Sequence, residues 1–343
     1  MHSSHAQAKD QIEILKGEVR KMLIHAVDKS SQKLNLIDQI QRLGIAYHFE
    51  IEIDQLFEKI HRSYFEFHYG NDDNLHTAIH KGMPRLEARR YIPLYQEDPS
   101  HNEVLLSLAK LDFNLLQEQH QKELGNLTRW WMDLDVETKL PFARDRLVEM
   151  YLWMSGVYFE PKYGVGREML TKVAIMVSII DDIYDVYGTL EELELFKEAV
   201  ERWDIDAKDG LPEYLQACYK IILDLYDEIG YEMKNQVRAY FAEAKWFHQN
   251  RVSTMEEYMP IALATSALEV LPVTSLLGMG DIVTKDVFDW LLDSDPKMAK
   301  AVKFEQERGH GPTSVECFVN NLELPRKRLR RSSVTGGRRV EGH

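Results

Sequence analysis

The chain has 343 residues, of which 44% are hydrophobic and 29% charged, and a formal net charge of −14. That composition describes a globular chain with room for two domains and a substantial core. It excludes a disordered polymer and argues against nucleic acid as a partner.

The N-terminus, "MHSSHAQAKD", has neither the apolar core of a secretory signal nor the arginines of a transit peptide. No uninterrupted apolar run of about 18 residues is evident, so no membrane span is expected. The cysteines, Cys218 and Cys317, lie far apart in no spaced motif. They offer no disulfide framework and no zinc site. A cytoplasmic monomer is the expectation.

Helical periodicity starts early. Ile12, Leu15, Val19, Met22 and Leu23 recur at three- and four-residue spacing. A weak break is expected in "GNDDNLHTAIHKGMPRL" (70–86) and a stronger one, a candidate domain boundary, in "YIPLYQEDPSHN" (91–102). The helical pattern returns with Val104, Leu105, Leu108, Leu111 and Leu115, and again with Leu215, Cys218, Ile222 and Leu225. Alternating strand patterns are not evident. The fold class is all-α.

Between these helices, "LPFARDRLVEMYLWMSGVYFEP" (140–161) places Arg144 and Arg146 before an aromatic-rich helix. A guanidinium suits forked recognition of phosphate oxygens, although an Arg-Asp-Arg run alone is more often a surface salt-bridge cluster. Trp153 follows about two and a half turns after Arg144. An aromatic face can stabilise a cation by up to about 2 kcal/mol when desolvated; plain core packing is the commoner fate.

Next comes "SIIDDIYDVYG" (178–188), where an apolar run leads into Asp181, Asp182 and Asp185. Val173, Val177, Asp181 and Asp185 differ by four, so they form one stripe of a helix. Like charges one turn apart destabilise a helix by about 0.2–0.5 kcal/mol. A magnesium ion, which takes one or two carboxylates together with water and substrate phosphates, removes that conflict. A solvated helix end does so too, and spacing alone leaves the two readings near even. "DSDPK" (293–297) marks a further break. From Pro325 onward there are seven Lys/Arg and one acid, without apolar periodicity. Such a tail is expected to be disordered.

"RLEARRYIPLYQEDPSHNEVLLSLAKLDFNLLQ", "RWWMDLDVETKLPFARDRLVE", "GVYFEPKYG", "SIIDDIYDVYGTLEELELFKEAVERWDI", "EEYMPIALATS" and "KFEQERGH" together resemble plant class I terpene synthases. The nearest group is the cytosolic sesquiterpene synthases of germacrene/cadinene type, and the resemblance runs from about residue 8 to about 320. It implies a shortened N-terminal helical, α-barrel-like domain over 1–95 and an incomplete class I terpenoid synthase helical bundle over 96–322. A basic tail over 323–343 completes the chain.

The resemblance also implies chemistry. Asp181 and Asp185 would hold magnesium, with manganese as the alternative, and through it the diphosphate of farnesyl diphosphate; Asp182 completes the motif. Arg144 and Arg146 would receive the departing diphosphate, and Trp153 would face the allylic cation. The implied reaction is ionisation of farnesyl diphosphate and cyclisation to a sesquiterpene, with release of diphosphate.

Family members carry a second metal motif of Asp or Asn, then Ser or Thr, then Glu at four-residue intervals. Its Glu matches Glu305, but Ala301 and Lys297 occupy the other two places and neither is a ligand. Other departures are the missing arginine-tryptophan arm, the join at "GNDDNLHTAIHKG", a shortened region around "EMKNQVRAYFAEAKW" and the loss of the final helices. A non-catalytic helical product of the same gene family is therefore the alternative reading. A chain-lengthening prenyltransferase would need a second aspartate-rich run, and none follows Asp209.

Overall fold

The computed structural model describes residues 2–25, 30–65, 83–225, 230–267, 270–280 and 283–284. Glu305, Ala301 and Lys297, the breaks at 70–82 and 293–297 and the basic tail lie outside the described residues. Every regular element among the described residues is helical, as the periodicity predicts. The backbone divides into two compact units, the first being Met1–Asn126 with Tyr151–Val165, the second Leu127–Met150 with the chain from Gly166 on.

The first unit opens with α1 (His2–His25), α2 (Ser30–Arg42) and α3 (Glu50–Phe65). The sequence stripe of α1 is its inner face: Ile12, Val19 and Leu23 are buried with Ile37, Ile40, Phe49, Ile53 and Leu56. The end of α2 shows how local chemistry sets direction. The N–H of Gly44 donates to Gln41 O at 3.0 Å and that of Ile45 to Ile40 O at 3.2 Å, with Gly44 at φ 77°. This paired bonding satisfies the last carbonyls of the helix and needs a residue tolerant of positive φ. The chain then turns so that Ile45 and Phe49 drop into the core.

The stretch read as a boundary at 91–102 is mostly helix. α4 (Pro84–Glu97) runs through Pro93 and stops at Asp98. Buried Ile92 and Tyr95, packed into the core, hold the helix together across the lost N–H. Only a short turn separates α4 from α5 (Glu103–Leu134): Asp98 accepts from Ser100, and Asn102 accepts from the N–H groups of Val104 and Leu105.

In the second unit, α6 (Val136–Lys139) and a loop lead into α7 (Leu147–Val157), whose later residues belong to the first unit. α8 (Gly164–Asp182) is apolar on nearly every side, with Leu170, Val173, Ile175, Met176, Ile179 and Ile180 buried. That pattern makes it an interior helix. A Cβ on Gly166 would stand 2.6 Å from the carbonyl oxygen of Gly278, so only glycine lets the two backbones touch. α9 (Leu190–Arg202), α10 (Glu213–Leu225) and α11 (Gly230–His248) follow, with α11 packed on α9.

The last described helices are α12 (Met255–Thr265) and α13 (Val270–Leu277). Contrary to the sequence expectation, Met255–Leu277 is long and apolar enough to cross a membrane by composition. The structure breaks that stretch in two at Ala267, whose φ of 58° is left-handed. Both helices pack on α11, and Thr265 donates to Glu243 at 3.2 Å.

Candidate functional site

The site begins in the loop before α7. Asp145 accepts the N–H of Leu147 at 3.1 Å, a local side-chain turn that starts the helix. With Asp145 committed to the turn, the two flanking arginines both reach α8. Arg144 forks onto Asp182, Nη2 to Oδ1 at 2.5 Å and Nε to Oδ2 at 3.3 Å. Arg146 donates through Nη1 to Ser178 Oγ at 3.3 Å and holds Glu149 at 2.8 and 2.9 Å. Ser178 and Asp182 are one turn apart on α8, so the loop lies along a single stripe. The contact with Arg146 keeps the Glu149 carboxyl below its ordinary range.

Aromatic rings pin this loop. Phe142 stacks on Tyr187 with centroids 3.9 Å apart, and Tyr214 of α10 meets both edge-on at 6.0 and 5.1 Å. The Tyr214 hydroxyl donates to Glu192 at 3.1 Å. Each such ring pair is worth about 0.5–1.5 kcal/mol beyond area burial. Phe142 lies two residues before Arg144, so the clamp fixes where the guanidinium begins.

The aspartates do not continue one straight stripe. After Asp182 the helix widens into a π turn, Ile183–Tyr187, closed by Gly188 N to Ile183 O at 2.9 Å. Val173 and Val177 are buried as expected, and Asp181 follows them half-buried. Asp185 stands half-buried on the π turn, so its bearing from Asp181 differs from that of an α-helical i, i+4 pair. Ile183 and Tyr184 between them are buried. Single π turns within helices occur frequently at functional sites.

Asp181 meets α11. Tyr240, a residue only 3% exposed, stands where the charge of Asp181 acts on its phenol. Its ring stacks on Tyr184 at 5.9 Å and 21°. Burial, then the charges of Asp181, Glu243 and Asp185, push the Tyr240 hydroxyl far up from its ordinary value.

Thus the structure gathers Arg144, Arg146, Asp181, Asp182 and Asp185 around the C-terminal end of α8. Trp153 lies in the first unit and is half exposed, at 51%, rather than packed in a core. Glu305 lies outside the described residues. Sequence reading missed Phe142, Tyr187, Ser178 and Tyr240; Ser178, four residues before Asp182, was the one with a spacing signal. Among the described residues no three His, Cys, Asp or Glu side chains form a metal cage. Half-exposed carboxylate oxygens fit magnesium, which binds through one or two carboxylates and completes its shell with water and phosphate.

Comparison with known proteins bears on the identity of this site. Residues 132–328 match the metal binding domain of the terpene synthase family, and residues 1–81 match the terpene synthase N-terminal domain. The chain belongs to the terpene synthase family. Its members act on prenyl diphosphates, and the matched C-terminal domain is the one that binds metal.

Among curated relatives, (-)-germacrene D synthase of Vitis vinifera is 44% identical over 427 positions, covering 91% of this chain and 76% of the relative. Valencene synthase of Vitis vinifera is 42% identical, covering 95% and 80%. The 427 aligned positions exceed the 343 residues of the whole chain by 84, so that relative carries at least that many internal residues without a counterpart here. Among solved structures, isoprene synthase from grey poplar leaves, in complex with three Mg2+ ions and dimethylallyl-S-thiolodiphosphate, superimposes with a TM-score of 0.80. It is 26% identical, with 95% of this chain and 85% of that one covered. Limonene synthase with 2-fluorolinalyl diphosphate, 23% identical, shares the fold with a TM-score of 0.76 over 96% of this chain and 82% of that one.

Proposed function

We propose that the chain is a sesquiterpene synthase in lineage, binding farnesyl diphosphate through a divalent cation held by Asp181 and Asp185. The observation that carries this is the fork of Arg144 on Asp182. It sets an arginine pair beside the aspartates, on the elements the matched metal-binding domain supplies. The fork also divides the motif. Asp182 takes the guanidinium of Arg144, and the two outer carboxylates are the proposed cation ligands.

When bound, magnesium compensates the negative charge that gathers on the departing diphosphate. The chain's own part is electrostatic and positional. Arg144 is 58% exposed in its side chain, so its bridge to Asp182 is worth at most about 1 kcal/mol. A diphosphate presents more charge and the same forked geometry, and so competes well for the guanidinium. Arg146 stands one turn back along α8 to take the second phosphoryl group. A part for Trp153 toward the allylic cation rests on the resemblance alone, and the cytoplasm is the proposed location.

A second reading, a non-catalytic member of the family, is favoured by a specific feature. Two of three second-motif positions are Ala301 and Lys297, which offer no oxygen to a cation. Product analysis of purified protein with farnesyl and geranyl diphosphate in magnesium tests the substrate class. Any turnover is expected with farnesyl diphosphate, and a strong preference for geranyl diphosphate overturns the assignment.

A further inference from the structure

Both arginines of the loop before α7 are engaged by carboxylates, but not in the same way. Arg144 reaches across to Asp182 on α8. Arg146 is turned back on its own helix, where Glu149 stands in the first turn of α7. There the fork is complete: Nε donates to Oε2 at 2.9 Å and Nη2 to Oε1 at 2.8 Å. Two parallel N–H···O bonds of this kind are also the geometry in which a guanidinium grips a phosphoryl group.

The contact of Arg146 with α8 has another character. Nη1 donates to Ser178 Oγ at 3.3 Å. A hydroxyl carries no charge to repel an incoming anion, so this bond can hold the guanidinium at α8 while the fork changes partner. The pair with Glu149 is open to solvent, the Glu149 side chain being 45% exposed. An ion pair so open shifts an equilibrium by about fivefold at most. A carboxylate with a single charge therefore yields the fork to a diphosphate that carries several.

We infer that Glu149 is a built-in competitor at the diphosphate site: its carboxylate occupies the fork of Arg146 in the free protein and is displaced when a diphosphate takes that fork. The inference rests on the reading of Arg144 and Arg146 as the residues that receive diphosphate. Removing the competitor tightens binding, which is the opposite of what losing a ligand-holding residue does.

The test is titration calorimetry of the full chain with inorganic diphosphate in excess magnesium. Wild type, Glu149→Gln, Glu149→Asp, Arg146→Gln and the Arg146→Gln/Glu149→Gln pair are compared, with circular dichroism and melting as checks on folding. Glutamine removes the charge, whereas aspartate keeps it one methylene short of the fork. The expected result is about threefold to fivefold tighter binding in Glu149→Gln, a smaller gain in Glu149→Asp and weaker binding in Arg146→Gln. Adding Glu149→Gln to Arg146→Gln should change nothing further. Unchanged or weaker binding in Glu149→Gln overturns the inference and leaves the arginines standing. A gain in Glu149→Gln without one in Glu149→Asp, or a gain that persists without Arg146, also overturns it, because the effect is then one of net charge. Wild-type affinity in Arg146→Gln, or no binding in wild type, rejects the reading of the arginines and the inference with it.

Discussion

Arg144 and Asp182, 38 residues apart in sequence, meet in a two-point fork with contacts of 2.5 and 3.3 Å. The middle residue of the aspartate motif is thereby an anchor for the arginine loop, and its neighbours on either side have other partners. A first prediction separates the three. Asp182→Asn should leave Mn2+ affinity within about threefold of wild type, whereas Asp181→Asn and Asp185→Asn should each lower it by at least about tenfold. Equal losses at all three positions would show that the fork does not divide the motif.

Arginine at 144 is predicted to matter for its shape as well as its charge. Lysine keeps the charge and gives up the planar fork. Arg144→Lys should weaken inorganic diphosphate binding by about tenfold, with little change in unfolding free energy because the pair is exposed. Calorimetric titration and urea unfolding of the same sample decide this. Wild-type affinity in the lysine variant would reduce the fork to an incidental surface pair.

The aromatic clamp supplies a third prediction. Phe142→Ala removes the ring stacked on Tyr187 and edge-on to Tyr214. It should cost about 1–2 kcal/mol of stability and weaken diphosphate binding while leaving Mn2+ affinity unaltered. Parallel loss of Mn2+ affinity would mean that the clamp supports the whole end of α8 rather than the loop.

Acid sensitivity is predicted at the start of α9. Thr189 and Glu192 form a reciprocal cap, with Thr189 N donating to Glu192 at 3.0 Å and Glu192 N to Thr189 Oγ1 at 3.4 Å. That backbone bond holds the Glu192 carboxyl below its ordinary range. A folded pKa below the unfolded one gives stability that is complete above the unfolded value and is lost as pH falls through the folded value. Glu192→Gln should therefore be less stable than wild type near neutrality, and the two should converge as pH falls through the lowered folded-state value. Thr189→Ala should cost about 1 kcal/mol at neutral pH. A constant gap between Glu192→Gln and wild type across the acid range would contradict the assignment.

How much of this was readable in advance differs by element. The α1 stripe and the buried run of α8 were legible because burial selects apolar residues at helical spacing, and Val19 and Val173 fall where periodicity puts them. Spacing and residue type singled out the aspartates and arginines, and the resemblance gave them their roles. The fork itself was not legible, because nothing local tells Arg144 that Asp182 faces it across 38 residues. The π turn was hidden too, since "IYDVY" has the same spacing in either helix and only Gly188 N reaching Ile183 O reveals it. Pro93 misled in the other direction, because the core contacts of Ile92 and Tyr95 outweigh one missing hydrogen bond. Tyr240 gave no signal at all: tyrosine in a helix reads as core until its ring is seen stacked on Tyr184 of the π turn.

Turnover is predicted to be very low in the chain as it stands. Glu305 lacks oxygen-bearing partners at Ala301 and Lys297, and magnesium needs correctly placed oxygens around it. A version carrying the segments present in the relatives should be far faster and give a cleaner hydrocarbon product. Comparable rates from the two would show that the second metal motif is dispensable.

The central claim is that Asp181 and Asp185 bind a prenyl diphosphate through a divalent cation, whether or not chemistry follows. Calorimetric titration with a non-hydrolysable farnesyl thiolodiphosphate tests it without requiring turnover. Binding should be seen in magnesium, vanish with chelator and be absent from the Asp181→Asn/Asp185→Asn variant. Binding that survives chelator, or that the double variant retains at wild-type strength, would contradict the account.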